Sequence, residues 1–276
     1  SGVEEQKTAL HYAIEENSRE VLEAFVSFSG DMEEKPDFNI KSTSGDSPLS
    51  LAMSLRHNDL VPLLIRGGAD VNARNGQDLT LLHQAIIKES PETAIFLLEQ
   101  GADMNALTAD QESPLQLAIH CRLEKVVDAL CSRGVSLSAP NNKGDCPLWS
   151  ALETEQEAIA GVLVKHGVDT DCWASGPDGC LQTLLHRAID ENNEFAAVFL
   201  IKSGCDLDSP RQAGLDGPTE TSASKESPLH LCCQWGLTKV LQTLIEHGAN
   251  VNSIDSDSKT PLHVAIHNQH EEIIAI

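Results

Sequence analysis

His166, Cys172, Cys180 and His186 crowd one stretch of the chain and carry the imidazole and thiolate donors of a tetrahedral zinc site. Their spacing argues against that chemistry. Zinc sites draw on cysteine pairs about two to four residues apart. Here seven residues separate Cys172 from Cys180, and no CxxC occurs anywhere. Asp190 and Glu191 offer paired carboxylates, but they are adjacent and fall at an exposed helix end, which reads as a solvated acidic face. Nucleophilic catalysis needs a nucleophile and a base brought together in a pocket. The chain has no GxSxG elbow and no glycine-rich phosphate loop. The expectation is a chain with no catalytic residue, no metal ligand and no cofactor, and therefore not an enzyme.

Five of the eleven histidines (His11, His83, His186, His230 and His263) share one setting, the fourth position of a Ser/Thr-Pro-Leu-His-like tetrapeptide. The Leu of that motif recurs at 10, 49, 82, 115, 148, 185, 229 and 262, and four of the seven intervals are 33 residues. A fixed period of this size marks a solenoid, in which each repeat buries its apolar face only against its neighbours. Regular spacing also puts successive histidines on different repeats, so they read as structural hydrogen-bonders. They do not converge on one metal.

The elements that position these residues follow from one well-kept copy. Ser227 is a preferred helix N-cap and Pro228 suits the first turn, where its missing N–H costs nothing. Leu229 and Cys232 face inward. Val240, Leu241, Leu244 and Ile245 give a second helix one apolar stripe, which Gly248 ends in the left-handed conformation. The motif continues as Gly248-Ala249-Asn250-Val251-Asn252, and Gly68-Ala69-Asp70-Val71-Asn72 matches the same segment in full. With these residues the chain resembles the ankyrin-repeat family. The fold class expected is an all-α solenoid of about eight stacked helix-turn-helix repeats with β-turn fingers, the last truncated. It is read as a single array over 1–276, with repeats at about 6–44, 45–77, 78–110, 111–143, 144–180, 181–224, 225–257 and 258–276.

The departures are informative. The glycine usual between the two helices is replaced by Asn17, Arg56, Glu89, Arg122, Glu155, Asn192 and Gln269, and survives as Gly236. Nearly all the extra length of the long intervals falls in three fingers, about 31–44, 172–182 and 209–225. The last is rich in Gly, Pro, Ser and Thr and reads as a mobile surface loop.

The family resemblance implies protein binding through a concave face and its fingers. The residues it points to are Leu55, Lys88, His120, Glu153, Asp190, Glu191, Gln234 and Trp235 at the first-helix ends, with Arg211 in the longest finger. Trp235 reads either as an anchor, because Trp is over-represented among interface hot spots, or as a ring folded over its own turn and packed on a neighbour. Trp149, standing where the cap His belongs, is expected in the core. Asn72, Asn105 and Asn252, each with Leu eight residues earlier, resemble ankyrin asparagines that are hydroxylated.

The balance of 42 acidic to 19 basic residues, a formal charge of -23, repels nucleic acid and anionic lipid and favours a partner with a basic or mixed patch. No apolar run is long enough for membrane insertion. Eight scattered cysteines read as free thiols of a reducing compartment, cytoplasmic or nuclear. Ser1-Gly2 reads as a tag scar, and a last repeat stopping at Ile276 reads as a piece cut from a longer array. The diverged repeats also resemble the ankyrin arrays of endosomal FYVE-finger proteins. That resemblance implies a small-GTPase effector region with a Rab-type partner, placed peripherally on endosomes by a domain outside this chain. The competing expectation is a regulatory or targeting segment of a larger enzyme or channel.

Overall fold

Seven of the eight motif copies start a helix with a Ser or Thr hydroxyl at the cap position, and the fifth has Cys146 there. Ser47, Thr80, Ser113 and Thr260 are extended residues whose side chains accept the backbone N–H three positions on, as in Ser50 N to Ser47 Oγ at 3.1 Å. The computed structural model describes residues 8–28, 36–176, 180–212 and 224–276. Its contacts divide the chain into two bodies, Ser1–Pro147 and Leu148–Ile276.

In the N-terminal body the helices pair as α1 (Ala9–Glu15) with α2 (Arg19–Phe28) and α3 (Pro48–Ser54) with α4 (Val61–Arg66). Then follow α5 (Leu81–Ile87) with α6 (Pro91–Glu99) and α7 (Pro114–His120) with α8 (Glu124–Ser132). First helices pack in a row, α1 on α3, α3 on α5 and α5 on α7, while α2 meets α4 and α6 meets α8. The boundary between the bodies falls in the first turn of α9 (Pro147–Glu153).

The C-terminal body continues with α10 (Glu157–Lys165), α11 (Leu184–Asp190), α12 (Glu194–Lys202), α13 (Pro228–Trp235), α14 (Thr238–Glu246), α15 (Pro261–His267) and α16 (Glu271–Ile274). Here α11, α13 and α15 form one row and α12, α14 and α16 the other. The motif leucines from Leu10 to Leu229 are buried, whereas Leu262, in the eighth repeat, is 52% exposed. That contrast is the nearest-neighbour burial a solenoid requires. Ile245, expected in the apolar stripe of α14, lies partly exposed, while Val240, Leu241 and Leu244 are buried.

The fold adds one element to the all-helical expectation. Within the finger expected over 172–182, β1 (Trp173–Ser175) pairs antiparallel with β2 (Leu181–Thr183), Trp173 opposite Thr183. Leu181 then exchanges both backbone hydrogen bonds with Gln212, which ties the base of the 209–225 finger to this hairpin. Most of that finger, 213–223, lies outside the described residues, as do 31–35 and 177–179 of the other two. In the first finger Phe38 is buried against Gly67, where an added Cβ would lie 2.5 Å from the ring.

Every inter-helix junction uses the left-handed conformation, with φ from 50° at Asn17 to 74° at Gly236. Only glycine adopts it without a Cβ penalty of about 1–2 kcal/mol. Glu89→Gly and Gln269→Gly, both at exposed junctions, are therefore expected to stabilise the protein. The gain is about 0.5–1 kcal/mol each after glycine's entropic cost. Thermal melts of the single and double variants check it, and an unchanged or lower Tm in both contradicts it.

Candidate protein-docking surface

The cap histidines are tied down before any partner arrives. Nδ1 of His83 accepts the backbone N–H of Thr80 at 3.1 Å, so Nε2 carries the proton and donates to the carbonyl of Ala106 at 2.9 Å. His11, His186 and His230 repeat the pattern onto the carbonyls of Asp46, Glu226 and Lys259. In the fourth repeat Gln116 takes the role, its Nε2 donating to Ala139 and Asp145 carbonyls at 3.3 and 3.1 Å. Burial lowers the pKa of His83 and pushes that of His186 down to about 4, so both rings stay neutral. Among the described residues no three His, Cys, Asp or Glu side chains are placed to hold a metal ion.

All eight cysteines are free. Burial raises the thiol pKa of Cys131 to about 11 and of Cys205 and Cys233 to about 12, and Cys232 is raised as well. The thiolate is the reactive form. These four thiols should resist a disulfide reagent at pH 8 and label on adding denaturant. Fast labelling of any of them in the native protein would refute their burial.

Chain geometry brings the anticipated docking residues to equivalent places, the last turn of each first helix. Leu55 and Lys88 are the C-caps of α3 and α5, and His120, Glu153, Asp190 and Trp235 end α7, α9, α11 and α13. In the N-terminal body Leu55 is 42% exposed and Ile87, on the next repeat, is exposed as well. Lys88 Nζ donates to the Met53 carbonyl at 3.2 Å, which holds the stem across two repeats. His120 is exposed.

In the C-terminal body Glu153 and Glu191 are exposed and Gln234 is half-buried. Trp235 is 54% exposed, yet its indole N–H donates to Asp190 Oδ1 at 3.2 Å. Asp190 Oδ2 in turn accepts from Arg211 Nη2. Arg211 does not sit where a surface finger would put it. It is 8% exposed and also donates to Gln182 Oε1 at 3.0 Å and to Glu226 Oε2 at 3.3 Å. Burial of the guanidinium removes it from the docking set and makes it the counterion that fixes Asp190, which is itself half-buried and not the solvated helix end expected.

Glu191 pairs with Arg187 at 2.8 Å, and the Arg187 guanidinium lies 4.3 Å from the ring centroid of Trp149. Trp149 is in the core as expected. Sequence reading missed Gln182, Arg187 and Glu226. Of these only Arg187 carried a signal, four residues before Glu191 on one helix.

The asparagines sit on exposed fingers. Asn72 Oδ1 accepts the N–H of Asp103 at 2.7 Å, as Asn39 Oδ1 does that of Asp70 one repeat earlier. The backbone N–H groups of Asn105 and Asn252 close local turns on Asp103 and Asn250.

Capped helix pairs, left-handed junctions and forward-reaching histidines define a repeat protein built for binding, and the chain belongs to the ankyrin-repeat family. A family model described as "Ankyrin repeats (3 copies)" matches residues 32–108, 82–174 and 185–276. Over 278 aligned residues, 98% of this chain, it is 55% identical to Rabankyrin-5 of Mus musculus and 56% identical to Rabankyrin-5 of Homo sapiens. The chain spans only 24% of the length of these curated relatives. Among solved structures, the ankyrin repeat domain of Bcl-3 is similar at 23% identity with a TM-score of 0.63, covering 98% of this chain and 99% of that one. The human ASB11 ankyrin repeat domain is similar at 21% identity and a TM-score of 0.55, covering 83% and 97%. These two likenesses concern the fold. The family makes the chain a protein-interaction scaffold, and no helix among the described residues is long and apolar enough to cross a membrane.

Proposed function

We propose that the chain is a non-catalytic scaffold whose first-helix ends and fingers hold a Rab-type small GTPase at endosomes. The observation that carries the reading is Trp235, an exposed aromatic whose indole is oriented by Asp190, with exposed Glu191 next to Asp190 in the chain and exposed Glu153 at the equivalent helix end of an earlier repeat. A pre-set aromatic loses little rotamer freedom on binding and makes a strong anchor. The likeness to Rabankyrin-5 supports the choice of partner class. The acidic rim suits a basic or mixed patch on the GTPase. Leu55, Lys88 and His120 extend the docking set in the N-terminal body, with Gln234 beside Trp235. Asn72, Asn105 and Asn252 remain candidates for hydroxylation on the fingers.

The test is biolayer interferometry of the immobilised chain against a panel of purified Rab-type GTPases in both nucleotide states. One GTP-form member is expected to bind, and Trp235→Ala should weaken it about 30-fold, as for a hot-spot residue. Circular dichroism should be unchanged, because the ring is mostly in solvent. No binding across the panel, or a Trp235→Ala affinity equal to wild type, rejects the proposal.

A further inference from the structure

The second helices should show polar faces to solvent, and α12 does not. Its inner stripe, Ala196, Ala197, Leu200 and Ile201, is buried in the array. Its other face carries Phe195, Val198 and Phe199, all half-exposed, with the two rings stacked at 6.4 Å between centroids. At the same register α14 has Lys239, Gln242 and Thr243, and α8 has Lys125, Asp128 and Ala129. Helix α6 shares an apolar pair, Ile95 and Phe96, but has Glu92 in place of the first aromatic. A helix apolar on all sides is ordinarily buried on all sides.

This face floors a groove of about 820 Å³ within the C-terminal body. One end is walled by Glu155 and Glu157, and Glu191 and Glu194 stand beside them. Glu194 is neutralised by Lys239 and Glu191 by Arg187. Glu155 and Glu157 make no ion pair with any described residue. Lys202 marks the opposite end. The groove is therefore an apolar floor with an unbalanced negative wall at one end.

We propose that this groove binds an amphipathic helix of a partner protein, its apolar stripe on Phe195, Val198 and Phe199 and basic residues at the end that meets Glu155 and Glu157. Three observations select that occupant. The floor is an i, i+3, i+4 stripe, the ridge onto which a second helix packs. From Phe195 to Ser203 it runs about 12 Å, roughly two turns of a docked helix. The wall asks for cations, which disfavours a second copy of this acidic chain. The groove shares Glu191 with the surface around Trp235, but its floor and its Glu155–Glu157 wall belong to the groove alone and do not depend on the GTPase reading.

A display library of helical peptides of about fourteen residues, four turns, is selected on the intact chain and counter-selected on Phe195→Asp/Phe199→Asp. Winners should show apolar residues at i, i+3 or i+4 and i+7 with Lys or Arg clustered at one end. A synthetic winner should lose about 10-fold or more in affinity on Glu155→Lys/Glu157→Lys, and further affinity as salt rises. It should bind Trp235→Ala as it binds wild type, so this result and the GTPase test fail separately. Circular dichroism and melting verify both double variants, whose altered side chains are at least partly exposed. No enriched peptide, winners without basic residues, winners bound equally by the variants, or a wild-type dimer that Phe195→Asp/Phe199→Asp dissociates would each overturn the proposal.

Discussion

Arg211→Met is expected to lower the stability of the C-terminal body by about 3–5 kcal/mol, the cost of leaving buried carboxylates without their cation. The guanidinium reaches Asp190, Glu226 and Gln182 from the base of the 209–225 finger. Its backbone N–H donates to the Glu226 carbonyl at 3.0 Å, and the next residue pairs with Leu181. Met keeps the apolar stem and removes the charge. Asp190 and Glu226, with side chains 16% and 25% exposed, then face each other in a poorly solvated place. Urea unfolding followed by circular dichroism measures the loss. The triple variant Arg211→Met/Asp190→Asn/Glu226→Gln should be more stable than Arg211→Met alone, because no bare charge remains. A loss under about 1 kcal/mol, the ordinary range of an exposed ion pair, would show that the cluster does not anchor the finger.

Stability should also fall as the solution is acidified from neutral, and His186 supplies much of the slope. Its ring is neutral in the folded protein, with burial holding the pKa down to about 4, against 6.5 for an exposed ring. Below 6.5 the unfolded chain takes up a proton that the folded chain refuses, so unfolding gains ground as pH drops. The effect is absent above about pH 6.5, grows through the interval, and levels off once the folded ring titrates near pH 4. Its full size is about 3 kcal/mol, at 1.36 kcal/mol per pKa unit. His83, lowered by burial too, adds in the same direction in the N-terminal body. Denaturant midpoints at pH 7.5, 6, 5 and 4 trace the curve. In His186→Gln the C-terminal body starts less stable but changes less over that range. A variant whose pH dependence parallels wild type would remove His186 from the account.

Much of the architecture was legible because repetition makes each local signal recur. Ser or Thr, Pro, Leu and His specify a capped turn, an inward side chain and a forward hydrogen bond, and seven further copies repeat the statement with variations. Trp149 was readable as core because it occupies a position that every other copy buries or bonds. The left-handed junctions were visible only as missing glycines. That Glu89 or Arg122 still adopts φ near 50–60° is imposed by packing of the two helices on either side, which no local preference encodes. The hairpin at Trp173–Ser175 and Leu181–Thr183 was hidden in what read as an insertion, since three-residue strands carry no period to detect. Arg211 was misplaced for a related reason. A cation amid Gly, Pro and Ser looks solvated, and its three acceptors come from residues 15 to 29 positions away in sequence.

The cap-histidine ties all point towards the C-terminus, each from its ring to a carbonyl 23 to 40 residues further on. Stripping repeats from that side strands a buried N–H donor wherever a ring loses the carbonyl it reaches in the next repeat, as at His11, His186 and His230. Stripping from the other side frees the carbonyls these rings reach and donors such as the Asp70 and Asp103 N–H groups, which lie on exposed fingers where water satisfies them readily. A pulling or threading machine would thus meet unequal resistance depending on which end it grips.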